Sequence, residues 1–357
     1  MKKIKRIFGA ASALIGSVIG AGFITGREIL TFFYGQSPVL IFLALFLLYF
    51  ALIFLILIIK DQSMVFAIEK GDKAILFLNI LSVASMLGAT ESLARDVGAG
   101  CDFPVWSISL LIISVIVCKK GMRGLETFNA VLVPVMLAVV YAVIFFRAVA
   151  SGGNISITGH MSLKGSVSFS PIAVLKYTAM NVLLTQPLLS DVKMDQSQAE
   201  NDSVRGIKKI TLPFFTSIVT AAVLAFTAAY FLSALPKESV LSEIPILYVA
   251  GNGKAAFYLI SVTVALGIIT TLVGSLYPLT GVVKRRKMLW TTGVCLLSLA
   301  LSRLGFFVIV EKIYPLLGVL AIVYYAFTFV FLPSGVRIAE RARTLRRQAG
   351  RAVRSRS

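Results

Sequence analysis

The chain has 357 residues, is 58% hydrophobic and only 14% charged, and carries a formal charge of +19. Several apolar runs reach the roughly 20 residues a helix needs to cross a bilayer, so the sequence describes an all-α polytopic membrane protein, not a soluble enzyme. The first run is too long, and too closely followed by others, to be a cleaved signal peptide.

Roughly ten spans are predicted in chain order, at 7–33, 38–60, 73–97, 103–119, 126–150, 168–190, 207–235, 254–283, 288–304 and 312–333. The start of the tenth is the least defined, because Phe306 to Val310 are apolar too. Longer connections occur at 151–167, which is Gly/Ser-rich, at 191–206, which is polar and acidic, and at 236–253. The last carries Pro236, Glu243-Ile244-Pro245 and Gly251-Asn252-Gly253, and reads as a short helix lying over the mouth of the bundle. Residues 1–335 form the core and 336–357 a basic tail.

Alternate connections hold the positive charge. Lys2, Lys3, Lys5, Arg6, Lys119, Lys120, Arg123, Lys208, Lys209, Lys284 to Lys287 and the tail arginines from Arg337 to Arg356 fall on one side. That asymmetry places both termini in the cytoplasm and the protein in the plasma (inner) membrane. Charge spread in this way is topogenic and argues against nucleic acid as a partner; the tail also suits anionic lipid headgroups. Cys101, Cys118 and Cys295 are too scattered to imply a disulfide framework. His160 falls in a polar connection and reads as solvated.

Span 1 contains Gly16-Ser17-Val18-Ile19-Gly20-Ala21-Gly22-Phe23-Ile24-Thr25-Gly26-Arg27-Glu28. Glycine is a weak helix former, at about 1 kcal/mol per residue relative to alanine. Two readings follow: a small-xxx-small packing seam through Gly16 and Gly20, or backbone opened at mid-depth to bind something. Ten spans with both ends on one side divide into two fives, and an odd block repeats only in inverted orientation. The halves are about 7–150 and 168–333, which makes span 6 the counterpart of span 1. Span 6 carries Lys176-Tyr177-Thr178-Ala179-Met180-Asn181 and then Gln186-Pro187, so both segments are expected to break at mid-membrane. Paired interruptions in two halves point to a transporter site.

These residues resemble the LeuT-fold (amino acid–polyamine–organocation) transporters, and more narrowly the YkvI-type bacterial membrane proteins. The likeness rests on Gly16 to Phe23 with Gly26-Arg27-Glu28, on Ser85-Met86-Leu87-Gly88-Ala89 in span 3, on Tyr177 to Asn181, and on Ala265 to Thr271 in span 8. It implies an inverted-repeat bundle with alternating access. It further implies a sodium site at Gly16, Ile19, Gly267, Thr270 and Thr271, where interhelical hydrogen bonding is the plain alternative for the two threonines. No other cofactor is implied.

If span 1 opens near Ile19 to Gly22, backbone N–H groups of Gly20, Ala21 and Gly22 face a positive helix end suited to a solute carboxylate. Tyr177 and Asn181 could orient that solute or merely satisfy loose backbone. Glu91 and Lys176 are ionisable residues at similar depth and costly to insert, which suggests an ion pair, a gate or a proton relay; snorkelling and hydration are the alternatives. Arg27 and Glu28 are placed near the outer face, as part of a gate or as interfacial anchors. The expected function is secondary transport of an amino acid or related amine, driven by sodium or by a proton through Glu91. The rival is a non-transporting receptor on the same scaffold, like the permease-like subunits of germinant receptors. No motif for an enzyme stands out.

Overall fold

The computed structural model describes residues 14–16, 18–34, 36–61, 73–150, 170–191, 202–234, 241–249, 253–281 and 287–328. The basic tail, the first lysines, His160 and the basic residues 284–286 lie outside these described residues. Within them the chain is helical and no strand occurs.

Span 1 contributes two short helices, α1 (Ala21–Ile24) and α2 (Arg27–Phe33). There follow α3 (Pro38–Asp61), α4 (Lys73–Asp96), α5 (Val105–Lys119), α6 (Gly121–Ala150), α7 (Pro171–Asp191) and α8 (Asp202–Ala234). The single turn α9 (Ile246–Val249) precedes α10 (Lys254–Gly281), α11 (Lys287–Leu301) and α12 (Phe306–Thr328). Four stretches are long and apolar enough to cross a bilayer on those grounds alone: Pro38–Ile56, Lys73–Asp96, Lys254–Gly281 and Phe306–Thr328. Shorter apolar stretches lie at Val105–Lys119, Thr127–Val143, Pro213–Ala229 and Met288–Leu304.

Packing sorts these helices into a centre and a rim. The centre is α4 against α10; α10 also touches α1, α5, α6, α7, α9 and α11. Their sequences show why: α4 is buried without interruption from Leu81 to Thr90 and α10 from Thr270 to Leu276. A helix buried on every side must carry small residues where neighbours approach, and Gly88 of α4 sits against the backbone of Phe306. By contrast α3 is apolar all round but buries one stripe, Ile41, Leu45, Tyr49, Ile53 and Ile56, at helical spacing. Its other face presents Val39, Leu43 and Leu47, as a lipid-facing helix should.

Two expectations change at this level. The tenth span starts at Phe306 and not at 312, because Gly305, at φ 85°, ends the turn Ser302–Leu304 and lets the chain re-enter a helix at once. The predicted break in span 6 is absent, and α7 runs unbroken through Tyr177, Asn181 and Pro187. Its polar residues are satisfied by their own helix: Thr178 Oγ1 donates to the Val174 carbonyl at 2.8 Å and Asn181 Nδ2 to the Tyr177 carbonyl at 3.0 Å. Gln186 accepts a hydrogen bond from the Tyr325 hydroxyl of α12 at 3.0 Å. Polar side chains in this span therefore mark helix–helix contacts rather than an opened ladder.

Candidate functional site

Span 1 opens twice. Helix gives way at Ile19 and Gly20, resumes for the single turn of α1, and gives way again at Thr25 and Gly26, where Gly26 has φ 83°. A left-handed residue at the start of α2 is inexpensive only for glycine. Thr25 stitches the second opening, its hydroxyl donating to the Gly22 carbonyl at 2.9 Å and accepting from the Arg27 amide at 3.4 Å. The carbonyl of Thr25 accepts from the Ile246 amide of α9 at 3.0 Å.

At the first opening α1 lies against α10. A Cβ on Gly20 would collide with the Thr271 hydroxyl, so the glycine is what admits that oxygen to the span 1 backbone. Thr270 and Thr271 both donate to the Gly267 carbonyl, at 2.8 and 3.1 Å. Both threonines are thus bonded within their own helix, and the Thr271 oxygen is the one set against the break. Gly16 instead faces Asn129 and Val133 of α6, and Ile19 is wholly buried with its amide still bonded to the Ile15 carbonyl at 2.7 Å. The structure therefore brings Gly20 and Thr271 into contact, while Gly16 packs on another helix.

Glu28 belongs to this same place. It is 6% exposed, and its carboxyl lies where a Cβ on Gly22 would go. The carboxyl that faces Gly22 is thus the protein's own, where a solute carboxylate was expected. The dipole expected from a long half-helix also shrinks, because α1 is one turn. Glu28, expected near the outer face, is enclosed by the packing of other helices.

Around the carboxyl stand three phenols that the sequence reading missed or placed otherwise. Tyr177 of α7 faces it directly, and Tyr49 of α3 and Tyr314 of α12 are close enough to feel its charge. Ser82 and Ser85 of α4 lie beside Tyr314, and Ser82 also shares a hydrogen bond with Ser275 of α10 at 2.8 Å. The Tyr49 hydroxyl is buried without a partner in hydrogen-bonding geometry, whereas Tyr177 turns to the Glu28 carboxyl and Ser85 to Tyr314. Phe32 and Phe33 hold the Tyr177 ring edge-on, with centroids 5.3 and 4.9 Å away. A signal for Tyr49 was present in the sequence: it is the lone hydroxyl in the apolar run from Pro38 to Ile59.

Arg27 turns the other way. Its guanidinium pairs with Glu311 of α12 at 2.6 Å, lies 3.9 Å over the Phe307 ring and reaches the Ser242 carbonyl at 3.5 Å. The segment carrying Ser242 is held a second time, where Glu243 accepts from Ser92 and, at 3.3 Å, from Arg95. Arg27 is buried rather than interfacial, and it ties α2, α12 and the segment before α9 together.

Glu91 and Lys176 do not pair. Glu91 Oε1 accepts from the Ser107 amide at 2.9 Å, which satisfies one orphan N–H at the start of α5. Pro104, at the N-cap position, offers no side-chain cap, and Glu91 fills that need from α4. Lys176 packs its stem against Gly318 of α12. A carboxylate that caps a helix is ill suited to relay a proton, so the Glu91 relay loses its basis.

No protein-family model matches the chain. Over 340 residues it is 24% identical to the uncharacterized membrane protein YkvI of Bacillus subtilis (strain 168), covering 88% of this chain and 94% of that one. Over 327 residues it is 23% identical to the uncharacterized protein YyaD of the same organism, covering 86% and 91%. Among solved structures it superposes, with a TM-score of 0.60 and 14% identity, on MHP1, a nucleobase-cation-symport-1 family transporter in a closed conformation with bromovinylhydantoin bound. That match covers 91% of this chain and 78% of the other. The chain is a polytopic helical membrane protein similar to YkvI, with the fold of a membrane transporter and not of an enzyme.

Proposed function

We propose that the protein is a secondary transporter that carries a small organic solute, an amino acid or related amine, by alternating access driven by sodium. In this reading the ten spans form two inverted fives, and Thr25, Arg27 and α9 face the outside. One observation carries it: the helix of span 1 opens at Ile19 and Gly20 at the place where the Thr271 hydroxyl meets the backbone. Helix openings that line an ion or solute site are a recurring device of transporters, and the fold shared with a cation symporter supports it. Sodium would sit among the Gly267 carbonyl and the Thr270 and Thr271 hydroxyls, with the carbonyls of Gly16 and Ile19 completing the set from span 1. The solute would lie between Gly20, Ala21 and Gly22 on one side and Tyr177 and Asn181 on the other.

The test is thermal melting of the purified protein in sodium and in potassium chloride at equal ionic strength. Sodium is expected to raise the midpoint and Thr271→Val to abolish the difference, since the valine keeps the shape and removes the oxygen. Identical melting of the wild type in the two salts removes sodium from the mechanism.

A further inference from the structure

Glu28 has no cationic side chain within ion-pair reach among the described residues. The elements packed round it offer only uncharged groups: Gly22 from the break, Tyr49 from α3, Tyr177 from α7, and Tyr314 from α12 with Ser82 and Ser85 of α4 beside it. Arg27, one residue away, is committed to Glu311 and the Phe307 ring. The Thr271 oxygen of α10 is set against Gly20 and not against this carboxyl.

An ionised carboxylate buried without a positive partner is strongly disfavoured, and so is a buried hydroxyl without a hydrogen bond. Here the carboxyl has the Tyr177 hydroxyl as its polar partner and no counter-charge, and the Tyr49 hydroxyl beside it has no partner. Their shared complement is a group with positive charge and several N–H donors.

We propose that Glu28 is the counter-charge for a protonated amino group of the transported solute, with the hydroxyls of Tyr49 and Tyr177 as its further hydrogen-bond partners. This rests on the reading of the site as a transporter's, and it assigns to Glu28 the part of holding the ammonium nitrogen of that solute. Organic acids and neutral solutes without that nitrogen are excluded by the same charge.

The experiment uses the full chain in detergent with saturating sodium and two pools of small solutes. One pool holds primary amines and α-amino acids; the other holds the same carbon skeletons with hydroxyl in place of the amino group. Only the nitrogen pool is expected to raise the melting temperature. Its best member should bind Glu28→Gln at least about tenfold more weakly, the effect of a lost charge-assisted hydrogen bond, and Tyr177→Phe by a smaller factor. An equal shift from the hydroxyl pool, no shift from either pool, or unchanged affinity in Glu28→Gln overturns the proposal. So does a Glu28→Gln protein that loses the sodium response and keeps the amine response. Should Glu28→Gln not fold, Glu28→Asp withdraws the charge by one methylene; unchanged affinity in both Glu28→Asp and Tyr177→Phe overturns it equally. Counterflow in proteoliposomes separates the two readings. Glu28-dependent binding without counterflow keeps the role of Glu28 and removes transport, whereas counterflow of a hydroxyl analogue that ignores Glu28→Gln does the reverse.

Discussion

Arg27 and Glu28 are neighbours on one short helix, 4% and 6% exposed, and the structure treats them in opposite ways. Arg27 meets a carboxylate, a ring face and a carbonyl supplied by the protein. Glu28 meets a glycine and phenols, with no cation in ion-pair reach among the described residues. The first region has its counter-charge supplied by the protein and acts as a fastening. The second has no counter-charge among the described residues, and that is the gap the proposed solute would fill.

Mutations can break this contrast. The largest effect is expected from Gly22→Ala, whose methyl would take the space of the Glu28 carboxyl and should destabilise by about 3 kcal/mol, the upper end for overpacking. Retention of wild-type melting there would show that the carboxyl sits elsewhere. Arg27→Gln should cost about 2 kcal/mol in denaturant unfolding. That is less than a fully buried pair loses, because Glu311 is 42% exposed and can be rehydrated. Glu28→Gln should not destabilise the solute-free protein, changing it by less than about 1 kcal/mol, because a buried carboxyl without a cationic partner is not held there as a charge. If both substitutions destabilise, Glu28 is paired and the two regions are alike. The smallest change is expected from Arg95→Ala, no more than about 0.5 kcal/mol, because Arg95 is 66% exposed and such pairs contribute little.

Much of the fold was legible in the sequence, since span positions follow from runs of apolar residues and each predicted span contains a helix. The weakness of span 1 was legible for the same local reason, four glycines within eleven positions. What was not legible is direction. Counting residues along a helix gives height, which put Glu91 and Lys176 level; it does not give azimuth, and the first faces α5 while the second packs on α12. Nor does counting show burial, so it gave no sign that Glu28 is enclosed by other helices. In span 6 polar residues suggested a break, yet the i−4 carbonyl can satisfy such side chains within an intact helix, as it does for Thr178 and Asn181. Tyr314 lies far along the chain from Glu28, and its part in the pocket depends wholly on how α12 meets the rest.

The hydrogen bond from the Ile246 amide to the Thr25 carbonyl has a consequence for timing. Its acceptor is available because span 1 is not helical there, and its donor lies on the segment that Arg27 and Arg95 hold down. Solvent reaches that amide only when the segment lifts from the break. Its deuterium uptake is therefore a clock, advancing once per opening of this end of the bundle, and Arg27→Gln should make it run faster while Glu28→Gln leaves its rate alone.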